Sequence, residues 1–150
     1  MRSLTRRDML VLARSTGAVA LAWSRPAAAT PSEAQAEIAT FTGGKAAETG
    51  RIVIDLPEIA ENGNAVPLSV NVESPMTADD HIAEVLIVAE NNPRPRVAKF
   101  RFSPMSGRAE AATRIRLAAT QNVTVIARTG DGRLFAARKE IKVTIGGCGG

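Results

Sequence analysis

The sequence predicts an all-β protein, an immunoglobulin-like antiparallel β-sandwich with a short N-terminal helix and a flexible, glycine-rich C-terminal arm. Three observations carry this prediction. From Arg51 onward apolar residues recur with period two, the spacing of a half-buried strand. Seven such runs are separated by short clusters of Gly, Pro, Asn, Asp and Ser, with no long helical pattern between them. The chain then ends in Gly146-Gly147-Cys148-Gly149-Gly150.

The helix is read over Thr30 to Gly44. Thr30 suits an N-cap, Pro31 a first helical residue and Glu33 the back-bonding position of a capping box. Ala34, Ile38 and Phe41, spaced four and three apart, give one apolar face, and Gly43-Gly44 ends it. A helix this short is expected to pack against an edge of the sheet formed by the later strands. Among the strands, Ile52, Ile54 and Leu56 alternate with polar or outward residues, and Val66, Leu68, Val70 and Val72 form the clearest alternation. Val85 to Ala89 is continuously apolar, as in a strand covered on both sides. Ala98, Phe100 and Phe102, then Ile115 and Leu117, then Val123, Val125 and Ala127 continue the series, and Phe135 to Ile145 is apolar at odd positions apart from Lys139. Turns fall at Glu61-Asn62-Gly63-Asn64, Ser74-Pro75, Asn92-Pro93-Arg94-Pro95, Ser106-Gly107 and Gly130-Asp131-Gly132. No internal repeat is visible, and the Cys…Trp…Cys mark of antibody domains is absent.

This pattern divides the chain into three segments: a leader over 1–29, a carrier-sized sandwich domain over 30–145, and the arm over 146–150. The leader holds the twin pair Arg6-Arg7, a moderately apolar stretch from Met9 to Trp23, and small residues Ala27-Ala28-Ala29 for a signal peptidase. The stretch is too short and too polar to span a bilayer. Export by the twin-arginine route to the periplasm is expected, with cleavage after Ala29. The calculated pI near 10.0 belongs to this leader. It carries five of the 19 basic residues and one of the 15 acidic ones, so the processed chain has 14 of each. A nucleic-acid partner and a membrane partner after processing are therefore not expected.

His81 is the only histidine, which excludes an internal zinc site, blue-copper site or Ser-His-Asp triad. Tyrosine is absent and aromatics make up 3% of the chain, so stacking platforms for bases are lacking. No glycine-rich phosphate loop follows a strand, and Asp79-Asp80 reads as a solvated turn. No metal and no cofactor are called for. Charge is uneven along the chain: nine acidic residues and only Arg51 lie between Glu48 and Glu90, while seven basic residues and only Glu110 lie between Arg94 and Arg116. This fits either solvated strand faces or a bipolar surface that orients docking.

Cys148, the only cysteine, cannot form an internal disulfide. It is free, covalently loaded, or paired with another chain. Five extended residues reach at most about 17 Å, at roughly 3.3–3.6 Å each, enough to carry a thiol into a pocket on another protein. Glycine leaves such an arm free to bend. The nearest cation in sequence is Lys142, and the terminal carboxylate two residues away favours the neutral thiol. No base accompanies the thiol. It reads as a substrate-carrying group, activated in the active sites of other proteins, and the chain as no enzyme itself.

The leader, the run Asp55-Leu56-Pro57-Glu58-Ile59-Ala60-Glu61-Asn62-Gly63, the stretch Asn92-Pro93-Arg94-Pro95 and the terminus Val143-Thr144-Ile145-Gly146-Gly147-Cys148-Gly149-Gly150 together resemble the SoxY family, the sulfur carrier of the Sox thiosulfate-oxidation system. The resemblance spans nearly the whole chain, and the terminal pentapeptide is its most specific part. It implies immunoglobulin-like β folds for the carrier and for a smaller Z subunit that pairs with it as a heterodimer. It implies covalent attachment at Cys148 on an arm of Gly146, Gly147, Gly149 and Gly150. It further implies a haem cytochrome that conjugates thiosulfate to the cysteine, a manganese-dependent hydrolase that releases sulfate, and, where present, a sulfur dehydrogenase. Two alternatives stand beside it. A terminal Gly-Gly is also similar to ubiquitin-like sulfur carriers loaded at the last carboxyl, against which the leader, the length and the missing central helix count. The other is a structural interaction domain whose cysteine forms an intermolecular disulfide. Val53 and Val97, apolar residues left over from the alternation, are candidates for a partner-binding face.

Overall fold

In the computed structural model, which describes residues 31–146, the chain runs α1 (Pro31–Thr42), β1 (Glu48–Thr49), β2 (Ile52–Asp55), β3 (Ile59–Asn62), β4 (Val66–Val72), β5 (Ile82–Ala89), β6 (Arg96–Arg101), a 3₁₀ turn (Pro104–Ser106), β7 (Ala109–Ile115), β8 (Gln121–Thr129) and β9 (Leu134–Ile145). The leader falls outside the described residues. Six strands form one sheet in the order β1-β9-β8-β5-β6, with β3 also alongside β9, and β2-β4-β7 form the second. The two sheets face each other as an immunoglobulin-like β-sandwich.

The alternation predicted from the sequence is the core itself. Val66, Leu68, Val70 and Val72 of β4 point inward against Val85, Ile87 and Ala89 of β5, Val123, Val125 and Ala127 of β8, and Phe135 and Ile141 of β9. The intervening residues of β4 face outward, as period two requires. β5 is apolar without a break because its other face is covered too. Leu86 and Val88 pack with Ile126 and Leu134 beneath α1, against Ala34 and Phe41. The helix therefore lies across the outer face of the larger sheet and not against an edge. Its apolar stripe is the predicted one, but the surface it needs is the apolar face that β5 and β8 leave outside the sandwich core. Gly43 and Gly44, at φ of 63° and 76°, close the helix with the Gly44 N–H donating to the Ala39 carbonyl at 3.1 Å.

Among the described residues nine strands form where seven were expected. β1 and β3 are the additions, and both pair with β9 in parallel, whereas the other described pairs are antiparallel. β3 runs through residues expected to begin a turn at Glu61. Its sides are mostly exposed, so no alternation marks it, and it exists because β9 offers a free edge.

The uneven charge of the sequence is partly resolved by strand order. β5, which carries Glu84, lies between β6 and β8, both of which bring cations to it. Glu84 is only 8% exposed. Lys99 Nζ reaches it at 2.9 Å, Arg101 Nε at 3.2 Å, and Arg128 pairs with its other oxygen. Arg138 likewise pairs with Glu90 at 2.5 Å. Lys99 and Arg128 also lie over the Phe41 ring, 5.5 and 5.0 Å from its centroid, so the same cations fasten α1.

At the end of the sandwich where β8 turns into β9, Asp80 accepts from Arg51 at 3.4 Å and from Arg133 at 3.2 Å. Asp80 is thus an ion-pair partner within the turn. The His81 ring lies over Gly130 so closely that no Cβ fits there, and the Gly130 N–H donates to the His81 carbonyl at 2.9 Å. Hydrogen bonds from the Thr129 hydroxyl and from Arg133 hold the Asp131 carboxyl down at about 2. A carboxyl depressed in the folded state stabilises the fold above its unfolded pKa of about 3.9 and loses that contribution as pH falls toward its folded value. The melting-temperature difference between the wild type and Asp131→Asn is accordingly expected to be constant above about pH 5 and to shrink progressively between about pH 4 and pH 2. A difference that stayed constant over that acid range would mean the Thr129–Asp131–Arg133 group contributes nothing.

Candidate functional site

β8 and β9 pair from Arg128 and Leu134 to Gln121 and Ile141, and there β8 ends. The last residues of β9 continue without it. On one edge β3 takes over, with Ile59 opposite Lys142, Ala60 opposite Val143 and Asn62 opposite Ile145. The Lys142 N–H donates to the Glu58 carbonyl at 2.9 Å, and the Gly63 N–H to the Ile145 carbonyl at 2.8 Å. On the other edge a side chain replaces the missing strand. The Thr120 hydroxyl accepts from the Val143 N–H at 2.9 Å and donates to the Val143 carbonyl at 3.5 Å.

Thr120 belongs to the crossover between β7 and β8, whose backbone is fastened at nearly every residue. Asn92 and Gln121, 5% and 3% exposed, do most of this. Asn92 Nδ2 donates to the Arg116 carbonyl at 2.7 Å, while Asn92 Oδ1 accepts from the Ala118 N–H at 3.0 Å and from Gln121 Nε2 at 2.9 Å. Gln121 Nε2 also donates to the Ala119 carbonyl at 3.1 Å, and its Oε1 accepts from the Asn91 N–H at 2.8 Å. Asn91 Nδ2 holds the Thr120 carbonyl at 3.1 Å. The Leu117 N–H donates to the Gly63 carbonyl at 2.8 Å, tying the crossover to the loop that also holds Ile145. Two buried amides thus have their polar atoms satisfied, as burial demands.

Gly146 lies where this scaffold meets the arm. It is half-buried, and a Cβ placed on it runs into the Ala118 carbonyl oxygen. Glycine is required here for close backbone approach. Gly146 is the one residue of the predicted arm that the structure describes, while Gly147, Cys148, Gly149 and Gly150 lie outside the described residues. Ile59 and Ile145, both exposed, flank the end of β9. Of the two apolar residues left over in the sequence, Val53 is exposed on β2, whereas Val97 is partly buried against the core. Among the described residues, no three His, Cys, Asp or Glu side chains come together in a way that could hold a metal ion.

Asn92 and Gln121 are site residues that the sequence reading missed. Gln121 left a readable signal: it is in phase with inward-facing Val123, Val125 and Ala127, a polar residue at a core position. Asn92 stood in a stretch read only as a turn.

The family model for the sulfur oxidation protein SoxY matches residues 38–148, a span that includes the cysteine. Among solved structures, the sulfur carrier protein SoxY from Chlorobium limicola f thiosulfatophilum is 34% identical, with a TM-score of 0.62, covering 77% of this chain and 100% of that one. A superoxide reductase (neelaredoxin) from Ignicoccus hospitalis is 24% identical, with a TM-score of 0.57, covering 76% of this chain and 93% of that one. A putative superoxide reductase from Thermotoga maritima is 17% identical, with a TM-score of 0.52, covering 69% of this chain and 89% of that one. The last two share the fold and no more. No curated protein sequence matches.

The close approach at Gly146 has a measurable cost. Gly146→Ala is expected to lose about 1–3 kcal/mol in urea denaturation, because the atom in the way is backbone and cannot swing aside. Asn92→Ala is expected to lose about 1–3 kcal/mol by leaving buried partners unsatisfied. Wild-type midpoints in both variants would show that the crossover and the end of β9 are not packed as described.

Proposed function

The chain belongs to the SoxY family of sulfur oxidation proteins, and from that premise we propose that it is a periplasmic carrier that binds thiosulfate-derived sulfur covalently at Cys148 and presents it to partner enzymes. The observation that carries the proposal is that the family match runs through Cys148, the one thiol in the chain. The chain supplies the thiol and its placement, and the chemistry is performed by the enzymes that receive it.

In the first step the Cys148 thiolate and the terminal sulfur of thiosulfate form an S–S bond, and two electrons pass to the conjugating haem cytochrome. The product is a cysteine S-thiosulfonate. In the second step water attacks the sulfonate sulfur in the manganese-dependent hydrolase. The bond between that sulfur and the sulfane sulfur breaks, sulfate and two protons leave, and a persulfide anion stays on Cys148. A sulfur dehydrogenase, where present, oxidises the sulfane sulfur further. The terminal glycines, which carry no side chain, allow the loaded cysteine to enter each narrow site. The leader with Arg6-Arg7 supports export by the twin-arginine route, and a Z subunit completes the carrier as a heterodimer.

Intact mass of the protein from the periplasm of thiosulfate-fed cells is expected to show an added sulfur-containing group that reductant removes and Cys148→Ser abolishes. A free thiol alone, or only a disulfide-linked dimer, would favour the interaction-domain reading. Cys148→Ser is expected to lose all thiosulfate-dependent turnover at an unchanged melting temperature, and a variant that still turned over would refute the carrier. Gly147→Val is expected to slow turnover severalfold at an unchanged melting temperature. A wild-type rate would mean that no narrow channel is threaded.

A further inference from the structure

The arm can react only where its point of departure allows. Cys148 is two residues beyond Gly146, so at roughly 3.3–3.6 Å per residue its Cα lies within about 7 Å of the Gly146 Cα. A shift of the end of β9 therefore moves the whole volume that the thiol can reach. Beyond the bonds to β3, Gly63 and Thr120, that end is bounded by the Ala118 carbonyl, which occupies the space over Gly146 that a Cβ would need. The peptides on either side of the one that bears this carbonyl are held by Asn92, which takes the Ala118 N–H and the Arg116 carbonyl, and by Gln121, which takes Asn92 and the Ala119 carbonyl.

We propose that Asn92 and Gln121 are positioning residues for the carrier reaction: through the Arg116–Thr120 crossover they place the Ala118 carbonyl over Gly146 and so fix the point from which the arm bearing Cys148 starts. This inference rests on the carrier function proposed above. Both act through backbone. A side-chain pair is well suited to the task. β8 has ended and cannot template the crossover by strand pairing, and buried amides accept few alternative arrangements because an unsatisfied partner is costly.

The test compares thiosulfate conjugation by the haem cytochrome, with the processed full-length carrier as the varied substrate, across matched variants. Asn92→Ala and Gln121→Ala are expected to raise KM for the carrier or lower kcat/KM by about 10- to 100-fold, as misplacement by about an ångström does. Their rate of Cys148 alkylation by iodoacetamide is expected to match the wild type, because the thiol itself is untouched. Ile126→Ala, a core truncation beneath α1 and far from the crossover, is the stability control and is expected to keep the wild-type kcat/KM. Gly146→Ala is expected to lower kcat/KM as well. The double variant Asn92→Ala/Gly146→Ala is expected to lose clearly less than the product of the single losses, since both act at the Ala118 carbonyl. Should Asn92→Ala fail to fold, Thr120→Val, an exposed change that frees the Val143 N–H, is expected to lower kcat/KM severalfold with the melting temperature nearly unchanged.

Wild-type kcat/KM in the folded variants, an equal loss in Ile126→Ala, or fully multiplicative losses in the double variant would each overturn the proposal. Turnover by Cys148→Ser would remove the carrier reading instead, whatever the positioning variants do.

Discussion

β8 stops pairing at Gln121, four residues before β9 ends, and the remaining backbone of β9 would present unpaired donors and acceptors if nothing came alongside. Much of the molecule around this end is arranged to meet that need. β3 is drawn in parallel along one edge, although its own sequence has almost no strand signal. On the other edge a single hydroxyl, that of Thr120, stands in for a strand. Because one hydroxyl is useful only if it is held still, the crossover that carries it is fixed by Asn92 and Gln121. The end of β9 is thus specified from both sides before the terminal residues begin.

The opposite face of the larger sheet shows a related economy. β5 and β8 are covered twice, by the second sheet and by α1, which makes them the least exposed part of the fold. The helix holds on through Ala34 and Phe41 and through cations that also neutralise Glu84. A buried carboxylate with three basic partners is a costly element unless its geometry is fully supported. Here it joins β5, β6, β8 and the helix face at one point, and it turns an imbalance of charge along the sequence into pairing between neighbouring strands.

Legibility in the sequence followed the range of the interactions involved. Period-two patterns depend on one face meeting a core, so β4 was readable residue by residue, as was the apolar stripe of α1, while for β5, β8 and β9 the core-facing residues were readable only in part: β5 begins at Ile82, before the apolar run, the second buried face of β8 left no alternation, and Ile145, in phase with the core face of β9, is exposed. What lay outside a single segment was not. β3 is a strand because of β9, some eighty residues away, and its exposed residues Ile59, Glu61 and Asn62 record nothing of that partnership. The docking of α1 on a face and not an edge depended on how wide an apolar surface the assembled sheet left open. Cys148 was conspicuous because it was alone among glycines, yet the reason for Gly146 was invisible, since only the folded chain brings Ala118 against it. Gln121 could have been suspected from its phase, whereas Asn92 could not be separated from an ordinary turn residue before proline.

Gly63 donates to the Ile145 carbonyl and accepts from the Leu117 N–H, so it couples the end of β9 to the crossover through one peptide on each side. This has a mechanical consequence. A tug along the axis of β9 acts across the hydrogen bonds to β3, Gly63 and Thr120, of which those of the parallel β3 pair slant to the strand. They share the load, and part of it passes through Gly63 and Thr120 into the crossover. The end of β9 is in this way anchored to β3 on one edge and to the crossover on the other, beyond the point where its pairing with β8 stops.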